Sequence, residues 1–185
     1  MTVPPSKGTL LVATPPLADP NFDRSVVLLL EHSPNGAVGL VLNRPTGTPV
    51  AAALPGWELL TADPGTLFVG GPVAEDAAIA LGAARHAGAD ESGWTEIVGT
   101  VGTIDLHRDP DDVIDGIESV RIFAGYAGWG PGQLESELEA NAWLVVAARP
   151  EDAFGDPDDL WRRVLLRQGG SIAWLANAPA DPSVN

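Results

Sequence analysis

Short apolar runs separated by Pro, Gly and Asn dominate the start of the chain. Thr9–Ala13 predicts a strand, and Ser25–His32 is a nearly continuous apolar run, typical of a strand that is buried on both faces. The Asn35-Gly36 pair that follows predicts a hairpin turn, because both residues tolerate the left-handed backbone that tight turns need. Ala37–Leu42 is then the returning strand. The pattern predicts an antiparallel start to the fold.

Later segments are extended in the same way, with one exception that the pattern leaves open. Ala74–Arg85 is rich in alanine, which favours a helix, but the alternate spacing of Ile79, Leu81 and Ala83 suits a strand. The other extended runs are clearer. They are Thr66–Val69, Trp94–Val101, Gly102–Leu106, Val120–Ala124 and Trp143–Ala148.

A Thr or Asp followed by Pro marks three predicted helix starts, since these residues favour the N-cap and Pro favours the first helical position. The predicted helices are Thr48-Pro49 through Leu54, Asp109-Pro110 to near Gly116, and Asp156-Pro157 to Arg167, and a fourth helix is expected from Pro131 to about Ala140. In the third helix, Asp158 and Asp159 stand four residues before Arg162 and Arg163, which predicts helical ion pairs. Hairpins and short helices in this irregular order favour an α+β fold over a regular βαβ repeat.

Composition narrows the possible chemistry. The 185 residues fit one domain, spanning 1–185, and 45% apolar residues can build a core without disulfides or a structural metal. The absence of cysteine excludes disulfides, thiolate zinc sites, iron–sulfur clusters and cysteine nucleophiles. The N-terminus lacks the features of a secretory signal, and no apolar run is long enough to span a membrane. We therefore expect a cytoplasmic protein without membrane association.

The charge balance disfavours nucleic acid as a partner. The net charge is −15, and Lys7 is the single lysine. Because nucleic-acid binding begins with Lys and Arg neutralising phosphates, we expect no direct nucleic-acid binding.

The run from Gly125 to Leu134 lies where phosphate-binding loops occur, between a predicted strand and a predicted helix. Its glycine spacing matches no dinucleotide fingerprint, no Lys-Ser/Thr follows, and Glu135 and Glu137 would repel a phosphate. The favoured interpretation is a tight strand-to-helix turn in which Trp129 folds onto the core. The alternative is a ligand-facing loop.

Other candidate motifs have ordinary structural explanations. The segment from Asp19 to Arg24 begins like a calcium loop but has Arg where Gly is required, so a loop with local Asx hydrogen bonds is the better account. His32, His86 and His107 are too dispersed for a metal site. Asn43-Arg44, before Pro45, could form either a polar recognition point or a capped strand end, and the sequence does not separate these two.

Four blocks, distributed along nearly the whole chain, form a distinctive combination. They are Asp19–Phe22 with Arg24–Val27, Glu31-His32, Asn35–Ala37 and Gly39–Pro45; Gly70–Val73; Arg121–Glu135 with Glu137-Leu138 and Trp143-Leu144; and the tail Asp181–Asn185. In this combination the chain resembles the YqgE/AlgH family of bacterial proteins. The resemblance implies a compact α+β domain around a small mixed barrel-like sheet with helices outside. It also implies that Ala74–Arg85 is extended.

The resemblance carries over no catalytic residue and no cofactor. Some members are described as transcriptional regulators, but this sequence offers no helix-turn-helix or basic recognition helix. Where the family often has Leu-His, this chain has Leu81-Gly82. We therefore expect a cytoplasmic, non-enzymatic regulatory or binding protein. The alternatives are an enzyme that uses scattered carboxylates and histidines in a pocket, and a transcriptional regulator that acts through a partner.

The candidate partner surface for a protein or small molecule combines three predicted loops at strand ends. Its residues are Asp19, Phe22, Arg24, Asn43, Arg44, Tyr126, Trp129 and Gln133. This surface requires that the three loops converge in space.

Overall fold

The computed structural model of the chain describes residues 2–17, 19–87 and 93–179. All three ranges contribute strands to one sheet. Its strands are β1 Thr9–Ala13, β2 Val26–Ser33, β3 Gly36–Val41, β4 Pro45–Pro49, β5 Thr66–Val69, β6 Val73–Ala84, β7 Trp94–Val98, β8 Val101–Ile104, β9 Ile117–Trp129 and β10 Trp143–Ala147. The helices are α1 Val50–Ala53, α2 Gln133–Glu139, α3 Pro150–Phe154, α4 Leu160–Leu166 and α5 Gly170–Leu175, with 3-10 turns at Trp57–Leu59 and Pro110–Asp112.

The sheet is a curled, mainly antiparallel half-barrel in the order β10-β1-β2-β3-β9-β6-β8-β7. Strand β9 is central, since it pairs with β3 and β6 and also lies parallel to β5, where Phe68 faces Phe123. Strand β4 pairs with β5 off the main path. The mixed sheet with short helices confirms the α+β prediction for a single domain.

Strand β1 and the first half of β2, residues 26–29, are buried on both faces. Leu10 and Leu28 belong to one core cluster, while Leu11 and Val27 belong to another on the opposite face. This explains the nearly continuous apolar run in β2, because a strand covered on both faces has no position for polar residues.

Two β predictions are refined by the structure. The hairpin forms, but Ser33 pairs with Gly36, so that Pro34-Asn35 is the two-residue turn in place of Asn35-Gly36. The ambiguous segment is extended, as the resemblance implied: β6 pairs with β8 and β9.

The helix predicted from Thr48-Pro49 is wrong in its start. Both residues belong to β4, and α1 begins at Val50 without a side-chain cap. Asp109 does cap as predicted, because its carboxylate accepts a hydrogen bond from the Asp111 N–H at 3.0 Å. That cap opens a 3-10 turn of three residues, Pro110–Asp112, and not a helix that reaches Gly116.

The predicted helix start at Asp156-Pro157 is also wrong. The Asp156 carboxylate accepts from the Asp158 N–H at 3.0 Å, which forms a local Asx turn, and α4 begins at Leu160. Asp158 and Asp159 therefore precede the helix. Within the described ranges they form no ion pair with Arg162 or Arg163. Helices α3 and α5 were not predicted from the sequence.

The glycine run was misplaced as a turn. Gly125 to Trp129 are the last residues of β9, and the turn lies at Gly130–Gly132 before α2. Gly125 has φ +71°, and a Cβ there would lie 2.5 Å from the Gly71 carbonyl oxygen. This glycine therefore serves the close approach of two strand segments. The family-like tail, Asp181–Asn185, lies outside the described residues.

Candidate functional site

Trp129 is a core residue, as the structural interpretation of the glycine run predicted. Its side chain is 6% exposed. Its ring stacks on Phe22 with centroids 6.2 Å apart and meets the edge of Trp143 at 6.0 Å. Trp129 therefore presents little surface to a ligand.

Glu137 holds this aromatic cluster together. One carboxylate oxygen accepts from the indole N–H of Trp129 at 2.9 Å and of Trp143 at 2.8 Å. The other accepts from the Gln133 side-chain amide at 3.0 Å, and the Gln133 amide oxygen accepts from the Gly130 N–H at 3.1 Å. Glu137 and Gln133 thus fix the strand-to-helix turn, a role that sequence reasoning missed.

Tyr126 lies away from this cluster. It is half-buried and packs against the core cluster that contains Leu40 and Phe68, whereas Trp129 belongs to the cluster that contains Leu11 and Val27. Two of the predicted surface residues on β9 therefore contribute to different cores.

Asn43 joins the predicted loops. Its amide oxygen accepts from the Val26 N–H at 3.0 Å, and its amide nitrogen donates to the Arg24 carbonyl at 2.9 Å. The Arg44 guanidinium donates to the Asp23 carbonyl. Asp19 organises the loop, because its carboxylate accepts from the Asn21 N–H at 2.9 Å. The end of β3 and this loop are therefore one hydrogen-bonded unit.

Arg24 extends the unit towards α4. It has φ +50°, its guanidinium donates to the Ala178 carbonyl at 2.6 Å, and its central carbon lies 4.9 Å from the centre of the Trp161 ring. The Trp161 indole N–H donates to the Ala13 carbonyl at 2.8 Å. The guanidinium is thus held in place by a carbonyl and an aromatic face.

A cavity of about 390 Å³ opens among these groups, and we call it the arginine cavity. Its lining residues are Arg24, Asn43, Arg44, Pro157, Asp158, Asp159, Trp161, Arg162 and Ala176. Three of the eight predicted surface residues meet here, while Phe22 and Trp129 lie in the aromatic core. The contribution of Trp161 and Arg162 was missed, because the arginines of this segment were assigned to helical ion pairs with Asp158 and Asp159.

Two larger cavities, of about 670 and 690 Å³, adjoin the segment Gly155–Asp158. Arg121 is buried beneath it and donates to the carbonyls of Ala153 at 2.9 Å and Gly155 at 3.1 Å. Burial lowers the pKa of Arg121 to about 10, and the carboxylates of Asp156 and Asp63 oppose this change. The Arg121 guanidinium also donates to the Asp63 carbonyl. It therefore links the segment at Asp63 to the segment at Gly155, and both segments line the 670 Å³ cavity.

His32 and Glu135 form a hydrogen-bonded pair on the surface. The His32 Nε2 lies 2.8 Å from a Glu135 carboxylate oxygen, and this hydrogen bond lowers the pKa of the Glu135 carboxyl. Within the ranges that the structure describes, no group of three His, Cys, Asp or Glu side chains is placed to hold a metal ion. No helix there has the length and apolar character needed to cross a membrane.

Comparison with known proteins covers almost the whole chain. The AlgH-like family model matches residues 10–173. A UPF0301 protein of Streptomyces avermitilis is 51% identical over 96% of this chain and 94% of its own, and one of Thermobifida fusca is 44% identical over 96% and 94%.

Two solved structures share the fold. The crystal structure of a Corynebacterium diphtheriae protein has a TM-score of 0.90 at 29% identity, covering 96% of this chain and 95% of that one. The solution structure of the AlgH protein from Pseudomonas aeruginosa has a TM-score of 0.67 at 32% identity, covering 97% of each chain. The chain therefore belongs to the AlgH-like family of UPF0301 proteins.

Proposed function

We propose that this chain is a cytoplasmic, non-enzymatic binding protein with a regulatory role, and that it docks a protein or small molecule at the arginine cavity. The observation that carries the proposal is the convergence of Arg24, Asn43 and Arg44 with Trp161 and Arg162 around one polar cavity. These residues come from three segments that are far apart in sequence.

Preorganisation supports a binding role. Arg24 is held by the Ala178 carbonyl and the Trp161 ring, and Arg44 is held by the Asp23 carbonyl. A side chain that is already fixed loses less conformational entropy when a partner binds. A ligand therefore does not have to order these guanidinium groups when it binds.

The charge distribution favours a protein or small molecule over nucleic acid. The cavity has three guanidinium groups, but Asp158 and Asp159 line it too. The chain as a whole carries −15, which opposes the approach of a polyphosphate backbone. A regulatory role would therefore act through a partner and not through direct contact with DNA.

The location of the groups with shifted pKa values also fits a binding role better than an enzymatic one. An enzyme that used scattered carboxylates and histidines would be expected to place groups with shifted pKa values in a cleft. The pKa values of Arg121 and Glu135 are altered, but neither side chain lines the arginine cavity or the cavities of about 670 and 690 Å³. Both shifts have structural explanations: burial lowers the pKa of Arg121, and the hydrogen bond from His32 lowers the pKa of Glu135.

Affinity capture from the native cytoplasm with matched variants tests the proposal. Arg162→Ala is the informative variant, because this exposed side chain lines the cavity and makes no hydrogen bond or ion pair to another described residue. Arg85→Ala is the control: Arg85 is an exposed arginine that donates to the Asp115 carbonyl away from the cavity. A partner that is retained by the wild type and by Arg85→Ala but lost by Arg162→Ala is the expected result. Equal capture by all three forms would contradict the proposed site.

A further inference from the structure

The guanidinium groups of the arginine cavity have few partners within the described chain. Arg24 and Arg44 each donate to one main-chain carbonyl, and neither forms an ion pair with another described residue, nor does Arg162. A guanidinium carries five N–H donors. In a chain with 25 acidic and 10 basic residues, arginines that share a cavity without a bonded carboxylate from the described residues are unexpected.

The neighbouring carboxylates do not supply the missing partners. Asp158 and Asp159 line the same cavity, but their backbone is fixed by other contacts: the Asp158 N–H donates to the Asp156 carboxylate at 3.0 Å. The Asp159 carbonyl accepts from the Arg163 N–H at 2.9 Å as α4 begins. The local fold thus holds both carboxylates near the guanidinium groups without joining them in ion pairs.

We infer that the arginine cavity binds a carboxylate group, which the guanidinium groups of Arg24 and Arg44 hold through paired N–H donors, with Arg162 at the exposed rim. The inference rests on the proposed binding function and names the chemistry that the same cavity recognises. Planar guanidinium and carboxylate groups match each other in two parallel hydrogen bonds. The Arg24 guanidinium lies over the Trp161 ring, and the hydrogen bond to the Ala178 carbonyl uses one of its five N–H donors.

The charge of the cavity favours a carboxylate over a phosphate. Three guanidinium groups and two carboxylates give a local charge of +1 from the lining residues. One carboxylate neutralises this charge, whereas a phosphate dianion would add repulsion from Asp158 and Asp159. The volume of about 390 Å³ lies near the lower end of the usual range for ligand sites, which suits a small acid or a single acidic side chain.

Two sources can supply this group: a free organic acid and an acidic side chain of a partner protein. We distinguish them by titrating the ¹⁵N-labelled full chain at pH 8, where inorganic phosphate is mainly the dianion, and at constant ionic strength. The probes are acetate, a short N-acetylated and C-amidated peptide with a single Glu, and inorganic phosphate. The reporter is the indole N–H signal of Trp161, since its ring lies beneath Arg24. Stronger binding of acetate indicates a free acid, and stronger binding of the peptide indicates a partner side chain.

The carboxylate probes should give a saturable shift at Trp161 with a dissociation constant on the order of 1 mM, and phosphate should bind more weakly. Arg44→Gln should weaken carboxylate binding by about tenfold or more, as expected when charge-assisted hydrogen bonds are lost. Asp158→Asn should strengthen it and improve phosphate binding, while Arg85→Ala should leave it unchanged. The Asp158→Asn result keeps the test valid if Arg44→Gln fails to fold.

The inference is overturned if neither carboxylate probe gives a saturable shift, or if phosphate binds more tightly than both. If carboxylates fail but Arg162→Ala still abolishes partner capture, the proposed function stands and the carboxylate assignment falls. If carboxylates bind at Trp161 but capture does not depend on Arg162, the carboxylate assignment stands and docking of a partner protein at this cavity is refuted.

Discussion

Replacing Trp129 with alanine tests whether the glycine–tryptophan segment is structural. The side chain is 6% exposed, packs against Phe22 and Trp143, and donates its indole N–H to Glu137. Truncating a buried aromatic residue of this size costs about 3–5 kcal/mol of unfolding free energy. For a chain of this length, each kcal/mol lowers the melting temperature by about 2–4 °C, so we expect a decrease of about 6–20 °C.

Two matched variants separate the packing and hydrogen-bond contributions. Trp129→Phe keeps an aromatic ring but loses the N–H, and we expect a cost of about 1–2 kcal/mol. Trp174→Ala removes an indole that is 80% exposed and should change stability by less than about 0.5 kcal/mol. Thermal unfolding followed by circular dichroism measures all three. If Trp129→Ala melted close to Trp174→Ala but lost partner binding, the structural assignment would be refuted.

Three further predictions concern the fold around the site. Arg121→Met should cost about 3–5 kcal/mol in chemical denaturation, because it leaves buried carbonyls without a donor; a change below about 1 kcal/mol would argue against the anchoring role. Gly125→Ala should destabilise far more than Gly128→Ala, since Gly125 has φ +71° and a close carbonyl while a Cβ at Gly128 meets nothing nearer than 3.6 Å; equal melting temperatures would contradict this. His32→Ala should raise the pKa of Glu135 towards its ordinary 4.5 in an NMR titration. The hydrogen bond between His32 and the Glu135 carboxylate stabilises the fold above about pH 4.5, and this contribution is lost as the pH falls through the lowered pKa of Glu135; an unchanged pKa would exclude His32 as its cause.

Local sequence signals identified most strands because burial dictates their composition. Thr9–Ala13 and Thr66–Val69 were predicted with the bounds that the structure has. Both-face burial of β2 followed from its apolar run. These predictions required no knowledge of distant residues.

The sequence failed where a distant contact or a local side chain overrides propensity. Glycine at positions 125 and 128 suggested a turn, but pairing with β3 and β6 keeps this segment in β9. At Asp156-Pro157, the Asx turn delays the helix until Leu160. Short-range propensity contains no information about either sheet pairing or this competing hydrogen bond.

The candidate site was partly predictable from local sequence. The polar ends of β2 and β3 suggested that Arg24, Asn43 and Arg44 would lie together, and they line one cavity. The addition of Trp161 and Arg162 depends on how α4 packs against the sheet, which a single sequence does not specify. Trp129 was placed on the candidate surface from its loop position, but its apolar ring is covered by Phe22 and Trp143.

The indole N–H signals of the tryptophans give the most direct test of binding at the arginine cavity, because these side chains lie in different parts of the fold. Trp161 lines the arginine cavity, Trp129 lies in the aromatic core, and Trp174 is exposed elsewhere. The measurement is a ¹H–¹⁵N spectrum of the labelled chain with and without the partner recovered by affinity capture. Binding at the arginine cavity predicts a saturable shift of the Trp161 indole signal, with the Trp129 signal unchanged and the effect absent in Arg162→Ala. A shift confined to Trp129 or Trp174, with Trp161 unaffected, would contradict binding at the arginine cavity.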